Sequence, residues 1–258
     1  WFTCNPESPG HWFYQEWIRK AEEKGALHLT FTMADNPGLS PKVLARYESM
    51  FRGTFYRRFV LGEWAAAEGL VYDFFSPELV QAVPEQMDGP WYISCDYGTV
   101  NPTSMGLWGQ KGGVWYRTAE FYYDSRKTGR QQTDGEYADD LARLAGGQDI
   151  RGVVLDPSAA SFREELLRRG WTVYRAENEV LSGIRRTAEL LRAGQLVICT
   201  PCEDAIREFG LYRWDTAVSG DRVVKEHDHA MDDIRYFAVT VAGRRRDGFF
   251  AGTVERSG

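Results

Sequence analysis

Two apolar runs in this sequence end in an acid. Trp91-Tyr92-Ile93-Ser94-Cys95-Asp96 and Gly152-Val153-Val154-Leu155-Asp156 both read as buried strands. Tyr97-Gly98 after the first and Pro157 after the second stop regular pairing at the acid. Both carboxylates are therefore expected to face loops at the carboxyl edge of a sheet, where open α/β sheets place their sites. One such acid alone serves equally well as a helix cap or a turn acceptor. A third acidic cluster, Glu226-His227-Asp228-His229-Ala230-Met231-Asp232-Asp233, changes the balance. At about 100° per residue, a closing helix from Asp228 to Ala242 puts Ala230, Met231, Ile234, Phe237, Ala238 and Val241 on one arc, which is expected to face the core. Asp228, His229, Asp232, Asp233 and Arg235 fall on the other arc. His229 and Asp232, three apart, share a face. Periodicity admits either Asp232 or Asp233 as the third acid, and an acidic first turn also suits the helix dipole with no further role.

Three carboxylates brought from separate segments suit hard divalent cations, which take oxygen ligands. Two such ions roughly 3.5–4 Å apart stabilise both the attacking and the leaving oxygen of an in-line phosphodiester displacement. His229 could ligate, orient a water or pair with a carboxylate. His227-Asp228 also fits an HD-type phosphohydrolase, but that chemistry needs further histidines, and His11 and His28 are the only others.

The elements that must position these groups follow from the pattern. Met105 to Trp108 and Val114 to Tyr123 read as strands joined by the Gln110-Lys111-Gly112-Gly113 turn, a hairpin. Gly135 to Ala145, Ser161 to Arg169, Ser182 to Ala193 and Glu203 to Phe209 read as helices, and Trp171 to Arg175 and Leu196 to Cys199 as strands. A hairpin followed by alternating strands and helices predicts a mixed sheet with helices on both faces. Upstream, His11 to Lys24 is helical in pattern, Leu27 to Thr32 alternates like a strand, and Ser40-Pro41 starts a helix reaching about Arg58. Residues 66–90 carry few periodic signals and read as a linker with one short apolar hairpin element at Gly69 to Tyr72. Residues 244–258 read as a solvated tail.

Composition sets outer bounds. The 258 residues are 43% hydrophobic, with 9 Trp, 13 Tyr and 14 Phe, enough for a well-filled core and unlike a disordered chain. No run of eighteen apolar residues predicts a membrane span. A net charge of −6 argues against a protein that coats DNA. It leaves room for a local basic groove, for which Arg175, Arg185, Arg186, Lys225, Arg244, Arg245 and Arg246 are the candidates. Cys4, Cys95, Cys199 and Cys202 are too sparse for a disulfide framework and suit a reducing compartment. Cys199-Thr200-Pro201-Cys202 lacks the second pair a zinc site needs. The start at Trp1 has no signal-peptide pattern and reads as the middle of a longer protein.

These motifs resemble the large terminase subunit of tailed bacteriophages and prophages, over nearly the whole chain. Asp96 through Thr103 resembles that family's first nuclease motif, Val153-Val154-Leu155-Asp156-Pro157-Ser158 the second, and Lys225 through Tyr236 the third. In the third, Asp232 takes the ligand position and Asp233 stands where the family usually has Ala. The Asn178 to Arg185 segment and Tyr212-Arg213-Trp214-Asp215 also resemble family features. So do Thr3-Cys4-Asn5-Pro6, Asp35 to Leu39 and Arg58 to Trp64, which look like the end of the terminase ATPase domain and its connection to the nuclease.

The resemblance implies an α/β fold, an RNase H-like mixed β-sheet flanked by helices, with a small N-terminal α/β appendage. Residues 1–65 would be the remnant of the ATPase domain and 91–243 the nuclease domain. It implies a Mg²⁺- or Mn²⁺-dependent endonuclease, with Asp96, Asp156 and Asp232 holding two ions and His229 as a catalytic neighbour. It further implies cutting of double-stranded concatemeric viral DNA during packaging, the portal protein and small terminase subunit as partners, and the host cytoplasm as the location. No G-x-x-x-x-G-K-[ST] phosphate loop is present, so no ATP hydrolysis is expected of this segment. Competing readings are another RNase H-like nuclease of the resolvase or transposase type, and a packaging-motor docking module whose acids only cap helices.

Overall fold

A computed structural model describes residues 1–50, 53–218 and 220–243. The tail from 244 on, with Arg244, Arg245 and Arg246, lies outside the described residues. In chain order the elements are α1 (Pro41–Met50), α2 (Gly53–Phe59), β1 (Trp91–Asp96), β2 (Thr103–Lys111), β3 (Val114–Tyr123), α3 (Ser125–Thr128), α4 (Asp134–Ala145), β4 (Ile150–Leu155), α5 (Ala160–Arg168), β5 (Val173–Arg175), α6 (Val180–Arg192), β6 (Leu196–Ile198), α7 (Glu203–Phe209) and α8 (His229–Phe237). The last continues as a π-helical turn, Ala238–Ala242.

The six strands form one sheet in the order β5-β4-β1-β2-β3-β6. β1, β2 and β3 pair antiparallel, while β4 runs parallel to β1, β5 to β4 and β6 to β3. This is the expected mixed sheet with helices on both faces. The parallel strands lie outside the hairpin because each returns through a helix, as parallel neighbours require.

Strand alternation sorts the core. Ile93, Cys95, Met105, Leu107, Val153 and Leu155 point to one face, where Tyr137 and Leu141 of α4 and Phe162 and Leu166 of α5 cover them. Trp108, Trp115 and Ile198 point to the other, packed by Ile184 and Leu191 of α6, Ala205 and Phe209 of α7, and Met231, Ile234 and Phe237 of α8. Phe237 stacks on Trp108 with ring centroids 4.2 Å apart, which fixes how α8 lies on the sheet.

Local chemistry sets the helix ends. Thr133 and Glu136 form a reciprocal capping box at the start of α4, and Gly146 closes it in a left-handed conformation (φ 58°). Glu179 caps α6 by accepting from Leu181 N and Ser182 N.

The N-terminal region departs from the alternation pattern. Leu27 to Thr32 forms no strand, and Leu27, Leu29 and Phe31 are 79%, 59% and 71% exposed. A strand is a pairing between segments, and no described segment offers this one a ladder. The expected helix over His11 to Lys24 is shorter and irregular: helical backbone runs from Trp12 to Ile18, π-helical over Tyr14–Ile18, and turns continue to Gly25.

Residues 66–90 lie against the core over part of their length. Val71 and Tyr72 are buried with Phe209 and Tyr212, Val71 N donates to Tyr212 O (2.9 Å), and Gln81 bridges to Cys199. Arg58 of α2, itself buried, donates to Asp221 Oδ1 at 2.9 Å and ties the N-terminal region to the loop before α8. No helix of the described residues is long and apolar enough to cross a membrane.

Candidate functional site

Register explains why the two strand-end acids meet. Cys95 of β1 is the parallel partner of Leu155 of β4, so Asp96 and Asp156 follow in adjacent positions at one edge. Alternation gives Asp96 the side of Ser94, and Asp156 the side of Val154. Ser94 bonds to α8 through Asp233, and Val154 packs on Tyr236 of α8. Both acids therefore point under α8, the helix that carries the third cluster.

The start of α8 is built by its neighbours. His227 takes a left-handed backbone (φ 55°) that turns the chain into the helix. Buried Glu208 of α7 accepts from Ala230 N at 2.7 Å, and Asp228 O accepts from Asp232 N at 2.7 Å.

From this helix His229 Nδ1 reaches Asp96 Oδ2 at 2.8 Å, a hydrogen bond that shares one proton between ring and carboxylate. Burial penalises the Asp96 charge, and neighbouring Asp232 and Asp233 add repulsion. His229 opposes these effects, and the carboxyl stands at about 7. Burial opposes charge on His229 too, but its bond to Asp96 and the acids Asp228 and Glu208 outweigh it and raise the imidazole.

Asp156 lies in a different setting. Its Oδ1 accepts from Ser158 N (2.7 Å) and its Oδ2 from the Tyr236 hydroxyl (2.7 Å). Burial works against the charge, but these donors win and hold the carboxyl below its usual range.

The pair that periodicity left open, Asp232 and Asp233, is separated by the fold. Asp233 is fully buried, bonded to the Arg117 guanidinium of β3 and accepting from Ser94 Oγ (2.7 Å) and Ser104 Oγ. Gly106 makes room for this: a Cβ there would lie 2.0 Å from Arg117 Nη1. Asp232 has different partners, with Oδ1 accepting from Arg235 (2.9 Å) and Oδ2 lying 3.5 Å from Lys225 Nζ. Arg235 is buried and also donates to Asn178 O and Glu179 O; Gly183 of α6 clears its path, since a Cβ there would sit 2.6 Å from its side chain.

The polar arc predicted for α8 is therefore not a solvent face. Every residue from Ala230 to Phe237 is buried, the charged ones through partners on the sheet and neighbouring loops. Arg117, Arg235 and Tyr236 carry no role in the sequence reading. The available signals were a lone arginine inside the apolar strand Val114–Tyr123 and a tyrosine one helical turn after Asp232.

The donor set fits hard cations in its chemistry: all three acids offer oxygens, and Asp96 is a desolvated carboxylate among like charges. As the side chains stand, no three His, Cys, Asp or Glu among the described residues surround one point closely enough to hold a metal ion. At Asp232, Lys225 and Arg235 are the cations an ion would compete with.

Most of the candidate cations for a basic groove are engaged with other partners. Arg185 stacks on Phe59 (4.8 Å) and Arg186 binds Glu189 and Gly243 O. Lys225 pairs with Asp228 (3.3 Å), and Arg175 is exposed at the end of β5 beside β4. Cys199 and Cys202 are free and buried, Cys202 Sγ donating to Arg117 O.

No protein-family model matches the sequence, and no curated protein is significantly similar to it. Solved structures are. The large terminase of a thermophilic bacteriophage, in complex with ADP, is 44% identical with a TM-score of 0.90, covering 93% of this chain and 62% of that one. The P22 large terminase nuclease domain superposes with a TM-score of 0.55 at 18% identity, over 67% of this chain and 92% of that chain. The large terminase nuclease of the thermophilic phage G20c, with bound magnesium, gives 0.52 at 15% identity, over 67% of this chain and 98% of that one. The chain thus spans about three-fifths of the length of the ADP-bound terminase, and the likeness to the nuclease domains is one of fold. In sequence and architecture the chain is similar to the phage large terminases, and its mixed six-stranded sheet is the RNase H-like fold of their nuclease domains.

Proposed function

We propose that this chain is the nuclease part of a viral DNA-packaging enzyme, an endonuclease that cuts double-stranded concatemeric DNA with divalent cations, Mg²⁺ or Mn²⁺. The observation that carries the reading is the placement of Asp96 and Asp156 at adjacent strand ends, both turned under the helix that presents Asp232 and His229. Asp96, Asp156 and Asp232 would hold two ions. Bound there, the cations would neutralise the charge that develops on an attacked phosphodiester. His229 keeps a proton in play at Asp96 Oδ2 and fixes that carboxylate. Arg175 and Lys225, at the same edge, would meet the phosphate backbone.

The rest of the parent enzyme, with the portal protein and small terminase subunit, would deliver the DNA in the host cytoplasm. On this reading residues 1–65 are the end of an ATPase domain, residues 66–90 lead into the nuclease domain at 91–243, and the segment has no ATP hydrolysis of its own.

The test is nicking of supercoiled plasmid by the full chain across a Mn²⁺ titration, beside Asp96→Ala and Asp156→Ala. The reading requires metal-dependent nicking that both variants lose. No cleavage by the wild type, or cleavage unchanged in the variants, leaves the docking-module reading in its place.

A further inference from the structure

We propose that Tyr236 is a positioning residue for Asp156, so that α8 orients both strand-end acids from one rigid element; this rests on the nuclease reading above. His229 and Tyr236 are seven residues apart and therefore project from the same side of α8, two turns from each other. One reaches Asp96 at 2.8 Å and the other reaches Asp156 at 2.7 Å. The helix crosses β1, β2 and β4, so each strand-end acid meets its own partner from the same element.

The tyrosine is held from behind. The residue is 3% exposed, buried with Val154 and Ala176 and packed on Tyr174 and Val241, and the Arg235 guanidinium lies 4.9 Å from its ring centroid. The hydroxyl has little freedom beyond its aim at Asp156 Oδ2.

Asp156 is only partly buried, so water can also reach its carboxylate. What the hydroxyl adds is direction. A carboxylate offers about four lone-pair positions. Ser158 occupies Oδ1 with its N–H and its hydroxyl, and Tyr236 takes one position on Oδ2. The position left on Oδ2 is the one presented to the site. Groups that orient a metal-binding carboxylate typically change metal affinity 10–100-fold when removed.

Tyr236→Phe removes the hydroxyl and leaves the ring packing. Mn²⁺ binding to the full chain is measured by titration calorimetry, nicking is followed against Mn²⁺ concentration, and thermal unfolding is recorded without metal. The expected result is an apparent Mn²⁺ dissociation constant raised about 10-fold or more. The nicking rate at saturating Mn²⁺ stays within about threefold and the metal-free unfolding midpoint within about 4 °C of wild type. Unchanged Mn²⁺ affinity overturns the proposal. So does failure of the variant to fold, or a large drop in its midpoint, either of which gives the hydroxyl a structural role. A wild type that neither binds Mn²⁺ nor nicks DNA overturns the nuclease reading itself, and the role of Tyr236 falls with it.

Discussion

Replacing Asp233 with Asn tests whether the second acid of the pair is structural. Asp233 and Arg117 are both 0% exposed, and the carboxylate also accepts from Ser94 and Ser104. The change removes the negative partner of a buried guanidinium and puts an amide donor among groups that all donate. Breaking a buried pair from one side typically costs 3–5 kcal/mol. Arg117 retains Glu120 at 3.3 Å, so the lower end applies, about 3 kcal/mol. For a chain of this length, a loss of about 3 kcal/mol lowers the melting midpoint by roughly 6–12 °C.

Urea unfolding followed by tryptophan fluorescence reads this directly, because Trp108 Nε1 donates to the same Ser94 hydroxyl (2.8 Å). The double variant Arg117→Met/Asp233→Leu, which replaces the pair with apolar groups, is expected to recover much of the loss. A loss below about 1 kcal/mol, or a double variant no better than the single one, refutes the argument that Asp233 anchors α8 through a buried charge.

Three further outcomes follow from the same geometry. Gly106→Ala drives a methyl into Arg117 and should destabilise the fold by about 1–3 kcal/mol, seen as a lowered urea midpoint at constant slope; an unchanged midpoint contradicts the close approach. Burial raises the Glu208 carboxyl despite its bonds to Tyr122 and Ala230 N, so the folded state binds that proton more tightly than the unfolded one. Between the ordinary glutamate value and the raised one this group makes stability fall as pH rises, and Glu208→Gln should flatten that part of the stability profile. A variant profile parallel to wild type would show that Glu208 does not titrate in this way. Finally, chelation with EDTA should abolish plasmid nicking and added Mn²⁺ restore it, while nicking that persists in EDTA would end the metal-dependent reading.

Much of the candidate site was legible because it depends on local rules. An apolar run that stops at Asp96 or Asp156 marks a strand end, and strand alternation fixes the side each acid takes once its neighbours are known. The helix period grouped His229 with Asp232. The partners were not legible. Arg117 is 116 residues from Asp233 and Tyr236 is 80 residues from Asp156, and no local pattern encodes such pairings. The alternating segment Leu27 to Thr32 failed for the same reason, since alternation shows that a segment can pair but not that a partner is present.

The sequence by itself determined the order of elements, the acids at the strand ends and the core stripe of the closing helix. The tertiary structure decided which neighbour of the pair at 232 and 233 is enclosed against the sheet. The two residues lie about 100° apart on the helix, a difference that burial on all sides makes invisible to hydrophobic patterning. Phe237 stacked on Trp108, with Arg117 reaching across Gly106, fixes the rotation of α8. That rotation sends Asp233 into the sheet onto Arg117 and leaves Asp232 to Arg235 and Lys225.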